Sequence, residues 1–537
     1  MSSSSSSSSS FPLTSRPANW KSLAPAPLAG GPTFAGQSTL NKLPVPELSE
    51  TLTKLKDSLK PIAWDEKEYN EVVKKIDEFG KGLGPELQKR LVKRKDETVH
   101  WFEQWWDDLA YLTYRDSVVI NVSYYYGFDE HPAHLPQSAV SRAAALTRAT
   151  MQFRELFKRG QVKPEATREG PLCMDTWRWM FDCSRVPGPE GVDWSVSYAK
   201  EGDLGESGHV VVFRKGRVWK LEPWQNGHLL SVEEIEKQIQ FIVENTKEEY
   251  PGVGVLTASN RNVWAKDYAT LASDPQNASI LETIQSSAFV ICLDVEQPSS
   301  FIEHSRFLWH GAVIRDNNNK VTLGLRNRWV DKPVNFIVFD NGKAGILGEH
   351  SVMDGTPTVA LCDTVLDIIA DPKFDQGLPR EGASLTLPQP LDFKVSNETQ
   401  KAIGDATKAA LDLVESQAMT ILQTSYGKAA IKNFGVSPDS WTQMIIQLAY
   451  ARLLKGRGEK RVGGTYEAAT TRRFFKGRTE AIRVVSKESD DWVRSMDEEG
   501  VSVEEKKRLF GLATKKHVGL AKMAGTGQGI DRHLLGT

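Results

Sequence analysis

A mixed α/β fold in two domains is what this sequence predicts, and three observations lead there. Its 537 residues exceed what one hydrophobic core usually organises. Through the middle of the chain, short β-like runs alternate with helical stretches, the pattern of an α/β layer architecture. Helical periodicity dominates before and after that middle, so the texture changes twice.

Residues 1–42 are low in complexity, with nine serines followed by Pro, Ala and Gly. Such a composition buries little apolar surface, and a disordered tail is expected there. No acidic residue precedes Glu47, as in transit peptides, but the basic residues are few (Arg16, Lys21, Lys42) and no amphipathic helix stands out. Order is expected from Leu43. Leu48, Leu52, Leu55 and Leu59 recur at helical spacing until Pro61. A second helix runs through Val72, Ile76 and Phe79. A third starts near Pro85 and leads to Trp101, Phe102, Trp105, Trp106 and Tyr111. Aromatics at that density read as core packing against a neighbouring domain. From there, residues 118–122, 209–213, 253–257, 289–293 and 336–339 read as strands, and 138–158, 232–246 and 358–369 as helices. A polar junction at 396–400 marks the expected domain boundary. Beyond it, 400–424 and 437–454 read as long helices, the second opened cleanly by Ser437, Pro438 and Asp439.

Composition narrows the function. Apolar content of 40% and charged content of 25% are those of a soluble globular protein. A net charge of −2 leaves no basic footprint, so no nucleic-acid partner is expected. No apolar run reaches membrane-spanning length. Four cysteines without a CxxC pair suggest a reducing compartment and no zinc ribbon. His131 and His134 share an HxxH spacing, but Pro132 lies between them and no third ligand is evident, so no metal site is expected. The string GESGH at 205–209 fails as a nucleophile elbow, because His209 stands where glycine is needed. There is no P-loop and no dinucleotide fingerprint.

The chemistry concentrates at 336–357. A β-rich run meets Asn341 and Gly342, a strong hairpin signal, and the return through Gly345 and Gly348 delivers Glu349, His350 and Asp354. A histidine at a strand end, near carboxylates and among glycines, is how a fold presents a general base. Lys428 and Lys432, one helical turn apart just before a helix start, can form a phosphate site. Arg532, helped by Tyr466 and Thr479 hydroxyls, could read a carboxylate, because a guanidinium fork matches two oxygens. Each also has an ordinary reading: a structural histidine, a solvated lysine pair and a surface arginine.

Rare strings in order decide between these readings. They are LPVP at 43–46, PLCM at 171–174, RVPGP at 185–189, RNVWAK at 261–266, NRW at 327–329 with Asp331 and Lys332, EH at 349–350 and RHLL at 532–535. In these the chain resembles the carnitine/choline acyltransferase family over nearly everything from Leu43 onward. The resemblance implies a two-domain fold like chloramphenicol acetyltransferase. Residues 1–42 would be the disordered tail, 43–110 a helical segment packing with the C-terminal domain, 111–395 the N-terminal α/β domain with the catalytic histidine, and 396–537 the C-terminal domain. That second domain would be discontinuous. It would also be incomplete, since family members continue past the RHLL string with further strands and a Ser-Thr-Ser motif that supports the oxyanion.

The same resemblance implies the function: reversible transfer of a short acyl group, acetyl, between coenzyme A and the hydroxyl of carnitine. His350 would be the general base and Asp354 its supporting acid, without an acyl-enzyme, the two substrates meeting at the histidine in a tunnel between the domains. Lys428, Lys432 and Asp439 fall on coenzyme A-binding positions, and Tyr466, Thr479 and Arg532 on positions that hold the carnitine carboxylate. Choline enzymes carry Asn in place of the arginine, so choline is disfavoured; Ala481, where carnitine enzymes commonly have Thr, is a small departure. Alternatives are a catalytically impaired coenzyme A-binding homologue and a medium-chain carnitine acyltransferase. No bound cofactor is expected, since acyl-CoA and carnitine are substrates. The expected state is a monomer, in mitochondria, peroxisomes or cytosol.

Overall fold

The structure is a computed structural model that describes residues 15–25, 31–317, 321–380 and 384–537. The serine run at 2–10 lies outside the described residues. The chain divides into two compact units: Met1–Ala35, Trp105–Pro164 and Met174–Ile421 form the first, and Gly36–Gln104, Glu165–Cys173 and Leu422–Thr537 the second.

The first unit is built on a seven-stranded mixed sheet. Its strands in chain order are β1 (Tyr124–Gly127), β2 (Val210–Arg214), β3 (Arg217–Leu221), β4 (Val290–Asp294), β5 (Asn335–Phe339), β6 (Ala344–Gly348) and β7 (Gln389–Pro390). Across the sheet they run β1-β6-β5-β4-β2-β3-β7. The β4 strand is parallel to both β2 and β5, and every other pairing is antiparallel. Strands β2, β4, β5 and β6 are buried at every residue, which requires cover on both faces. Alternation supplies that cover. Val210, Val212, Ile291, Leu293, Phe336 and Val338 enter one core with helices Ala139–Lys158, Val232–Glu244 and Gly355–Ala370. Val211, Phe213, Val290, Cys292, Ile337 and Phe339 enter the other with Arg261–Ala272, Pro275–Ser286 and Asn397–Glu415.

Four expectations need correction. Residues 118–122 form a tight turn and not a strand: Ile120 takes a left-handed φ of 68°, and the Val122 and Ser123 amides both return to the Val118 carbonyl. Val253–Ala258 is a fully buried 3-10 helix behind left-handed Gly252, and a short apolar run has no periodicity to separate the two states. Helix Asn397–Glu415 buries Ile403, Ala406 and Ala410 in the first unit, so Ser396 is its N-cap and not the edge of a unit. Part of the supposed tail is placed. Trp20 is buried 5.5 Å from Trp179, and Thr33 is buried with its hydroxyl on the Val162 carbonyl. Phe34 adds a second aromatic contact, 6.1 Å from Phe157.

The second unit gathers helices Leu48–Leu59, Glu66–Lys81 and Gly84–Glu97 with Pro438–Arg457, Lys487–Met496 and Val503–Gly525 around the hairpin Tyr466–Thr470/Thr479–Arg483. Met444, Ile482, Val484, Trp492, Val493, Ala513 and Ala524 make one of its cores. Trp101 and Phe102 are buried there, 5.1 Å apart. Among the described residues, no helix is long and apolar enough to cross a membrane.

Candidate active site

Strand β6 delivers the candidate base. Its hairpin with β5 turns through Asp340, Asn341 and Gly342, with Gly342 at φ 79°, and the Gly342 amide donates to the Phe339 carbonyl at 2.8 Å. This is a three-residue loop with glycine in the left-handed position. Two residues past β6 stands His350. Asp354 then occupies the N-cap of Gly355–Ala370 but makes no capping hydrogen bond with its side chain. Its Oδ1 lies 3.7 Å from His350 Nδ1, a distance that a few tenths of an ångström would turn into a hydrogen bond.

Two tyrosines wall the imidazole. Tyr111 lies over it at 5.1 Å between ring centroids, and Tyr124 meets it edge-on at 5.0 Å. The Tyr124 hydroxyl is 2.6 Å from the Thr358 hydroxyl, and burial pushes its ionisation well above the ordinary phenol value. It therefore acts as a neutral wall. The glycines make room for these rings: a Cβ on Gly348 would meet the Tyr124 ring at 2.5 Å, and one on Gly355 the Tyr126 hydroxyl at 2.5 Å.

Glu349 has another task. Its carboxylate accepts from Arg185 at 3.0 Å and from the Ser351 hydroxyl at 2.7 Å. Arg185 also donates to Asp193 at 2.8 Å and to the Tyr111 carbonyl at 2.8 Å. Asp193 in turn takes Arg261 at 2.7 Å and Arg115 at 2.8 Å, and Arg261 reaches Asp331 at 2.8 Å. Burial alone would raise the Asp193 carboxyl, but the three guanidinium groups outweigh it and hold it well below the usual range. This buried lattice fixes the loops on either side of His350, since buried charges are stable only when paired.

Of the residues expected to bind carnitine, the structure brings two together. Arg532, almost wholly buried, donates through Nε to the Thr479 carbonyl at 3.2 Å and through a terminal nitrogen to the Thr479 hydroxyl at 3.4 Å. Tyr466 is on the same face of the hairpin but at its far end, opposite Arg483, and 60% exposed. Glu480 accepts from the Ala481 and Arg532 amides, and burial raises its carboxyl to about 7. Lys428 and Lys432 project from the short helix Lys428–Asn433 and are exposed, as is Asp439 in the first turn of Pro438–Arg457. His131, of the HxxH spacing, accepts from Arg142 through Nδ1 at 2.9 Å.

Sequence reading missed Tyr111, Tyr124 and the role of Arg185. The run Tyr124–Gly127 begins with three tyrosines, a signal that could have been followed, whereas nothing local distinguishes Tyr111 from its aromatic neighbours.

The description "Choline/Carnitine o-acyltransferase" belongs to the family that matches residues 43–537. The chain belongs to this family. It is 34% identical over 521 residues to the mitochondrial carnitine O-acetyltransferase of Saccharomyces cerevisiae, covering 94% of this chain and 75% of that protein. It is 32% identical over 521 residues to the peroxisomal carnitine O-octanoyltransferase of Bos taurus, covering 94% and 81%. It is 31% identical over 525 residues to the liver isoform of carnitine O-palmitoyltransferase 1 of Homo sapiens, covering 93% and 64%.

Proposed function

We propose that this chain transfers an acyl group, acetyl by preference, between coenzyme A and the hydroxyl of carnitine, with His350 as general base. The observation that carries the reading is the His350–Asp354 pair at 3.7 Å, walled by two tyrosines, in a chain of this family. With Nδ1 turned to Asp354, Nε2 takes the proton of the carnitine hydroxyl as its oxygen attacks the thioester carbonyl. The tetrahedral adduct collapses by breaking the C–S bond, and the imidazolium returns its proton to the departing sulfur. Asp354 orients the ring and favours the transient cation. No acyl-enzyme forms.

Lys428, Lys432 and Asp439 are the proposed coenzyme A contacts, and Tyr466, Thr479 and Arg532 the carnitine contacts. The Arg532–Thr479 bonds support the last assignment, because they hold a guanidinium ready for a carboxylate and hostile to a bare quaternary ammonium. In this reading the first unit is the catalytic α/β domain and the second a discontinuous partner of chloramphenicol-acetyltransferase type. The chain works as a monomer in mitochondria or peroxisomes, compartments that the names of its relatives carry. Similarity to the yeast acetyltransferase supports the short chain, and near-equal identity to the bovine octanoyltransferase favours a medium-chain second reading.

The test is thiol release from acetyl-, octanoyl- and palmitoyl-CoA with carnitine or choline. Carnitine-dependent release, fastest with acetyl-CoA, is expected, and His350→Ala should abolish it. Full activity in that variant would sink the assignment.

A further inference from the structure

Residues 15–25 lie in the stretch where composition predicts a disordered tail, ahead of the family-matched residues 43–537. They nevertheless form a strap on the first unit, folded into a 3-10 turn at Trp20–Leu23. Its centre is Trp20, 5% exposed, whose ring meets Trp179 at 5.5 Å. Ala24 is buried in the same cluster, and its carbonyl accepts from Arg178 at 2.8 Å.

The strap is tied to one wall of the candidate active site. Trp20 and Ala24 share their apolar cluster with Tyr111, Leu112, Trp194 and Val352. Tyr111 is the residue whose ring lies 5.1 Å over His350, and Val352 follows His350 by two positions. Charge joins the same segments. Arg16 pairs with Asp108 at 2.7 Å, and Lys21 pairs with buried Asp107. Both aspartates open the π-helical turn Asp107–Leu112 that carries Tyr111. Arg16 and Lys21 also lie over the Trp20 ring, at 5.5 and 5.7 Å, so the anchor and the cations hold one another in place.

We infer that this strap is a clamp on the base: Trp20, Arg16 and Lys21 act as positioning residues that keep Tyr111 over His350, and release of the strap lowers acyl transfer. The inference rests on the reading of His350 as general base. Arg185 fixes one end of the Tyr111 turn by donating to the Tyr111 carbonyl at 2.8 Å. The strap fixes the other end through Asp107 and Asp108. With one end loose, the ring tilts off the imidazole, and a misplacement of about 1 Å at a catalytic group can cost a factor on the order of 10² in rate. The clamp is also releasable. Around its single large aromatic are Ser, Pro, Ala and Asn, which bury little, and Leu23 is exposed. Such a segment stays ordered only where something ties it down, so loss of one anchor frees the whole strap.

Initial-rate kinetics on the full chain with acetyl-CoA and carnitine, paired with hydrogen–deuterium exchange over residues 105–113, test the clamp. Trp20→Ala should lower kcat about tenfold to a hundredfold with both KM values within about twofold, and should raise exchange across 105–113. Trp20→Phe should restore most of the rate. Lys21→Met, which leaves the aromatic packing in place, should lower kcat about threefold to tenfold and raise the same exchange. A kcat in Trp20→Ala equal to the parent's overturns the inference, and so does a loss of rate with exchange over 105–113 unchanged. If Trp20→Ala does not fold, Lys21→Met decides on the same two measurements. A parent chain without carnitine-dependent thiol release removes the acyl-transfer reading instead, and exchange in the variants then decides by itself whether the strap holds the Tyr111 turn.

Discussion

Arg532→Asn removes a guanidinium that already spans Thr479 and sits almost out of solvent. A charge-assisted contact to a substrate carboxylate is the kind of interaction that sets binding more than chemistry. The expected result is an apparent KM for carnitine raised about tenfold to a hundredfold with kcat little changed, read by initial-rate kinetics. At this scale the candidate residues, with Asp354 as the partner of His350, were legible by type, order and resemblance, but the task of Glu349 was not. Nothing in the string EH at 349–350 says that Glu349 is committed to Arg185 and Ser351 while Asp354 faces the imidazole. The i+4 spacing allowed that arrangement. The charged partner of Glu349, Arg185, lies 164 positions away, and no local pattern encodes it.

At the scale of elements, the β5–β6 hairpin and the helix Gly355–Ala370 are what present His350, and both were readable from turn chemistry and the apolar run that follows. Their fit to β1 was not readable. Gly348 opposes Tyr124 in the antiparallel pair, and the ring that lies over Gly348 also meets His350 edge-on. Gly348→Ala should therefore destabilise the protein by about 1–3 kcal/mol in chemical denaturation, because the added methyl overpacks a closed contact. The same variant should lower kcat for acyl transfer more than it raises either KM, because the displaced ring is the one beside the base. The misread segments at 118–122 and 253–257 failed for a related reason. Short apolar runs are buried whichever backbone they adopt, and only a left-handed residue, Ile120 or Gly252, settled the geometry.

Across the whole molecule, stability should depend on pH through buried histidines. Burial depresses His131, His209 and His533 from 6.5 to about 4. Each stays neutral in the fold and takes a proton in the unfolded chain, so its contribution is complete above about 6.5 and is lost as pH falls toward about 4. Glu296 and Glu480, which burial raises to about 7, act with the opposite sign, favouring the fold below about 4.5 and losing that as pH rises toward 7. The separable test is His209→Gln, whose side-chain amide can still donate to the Thr283 carbonyl that His209 Nε2 reaches at 2.7 Å. Its melting temperature relative to the parent should rise as pH is lowered from 7 to 4, as followed by scanning calorimetry. A constant difference would remove His209 from the acid response.

The sequence by itself determined the family, the α/β alternation, the hairpin that ends at His350 and the candidate site residues. Those properties live in short strings, turn residues and periodicity, which survive without knowledge of what packs where. Only the tertiary structure decided that Glu349 is taken up by Arg185 and Ser351, that Tyr111 and Tyr124 wall His350, and that Asn397–Glu415 completes the first core. Each of those outcomes includes a contact between residues distant along the chain. Burial and charge pairing select such contacts only once the whole sheet and its covering helices have formed.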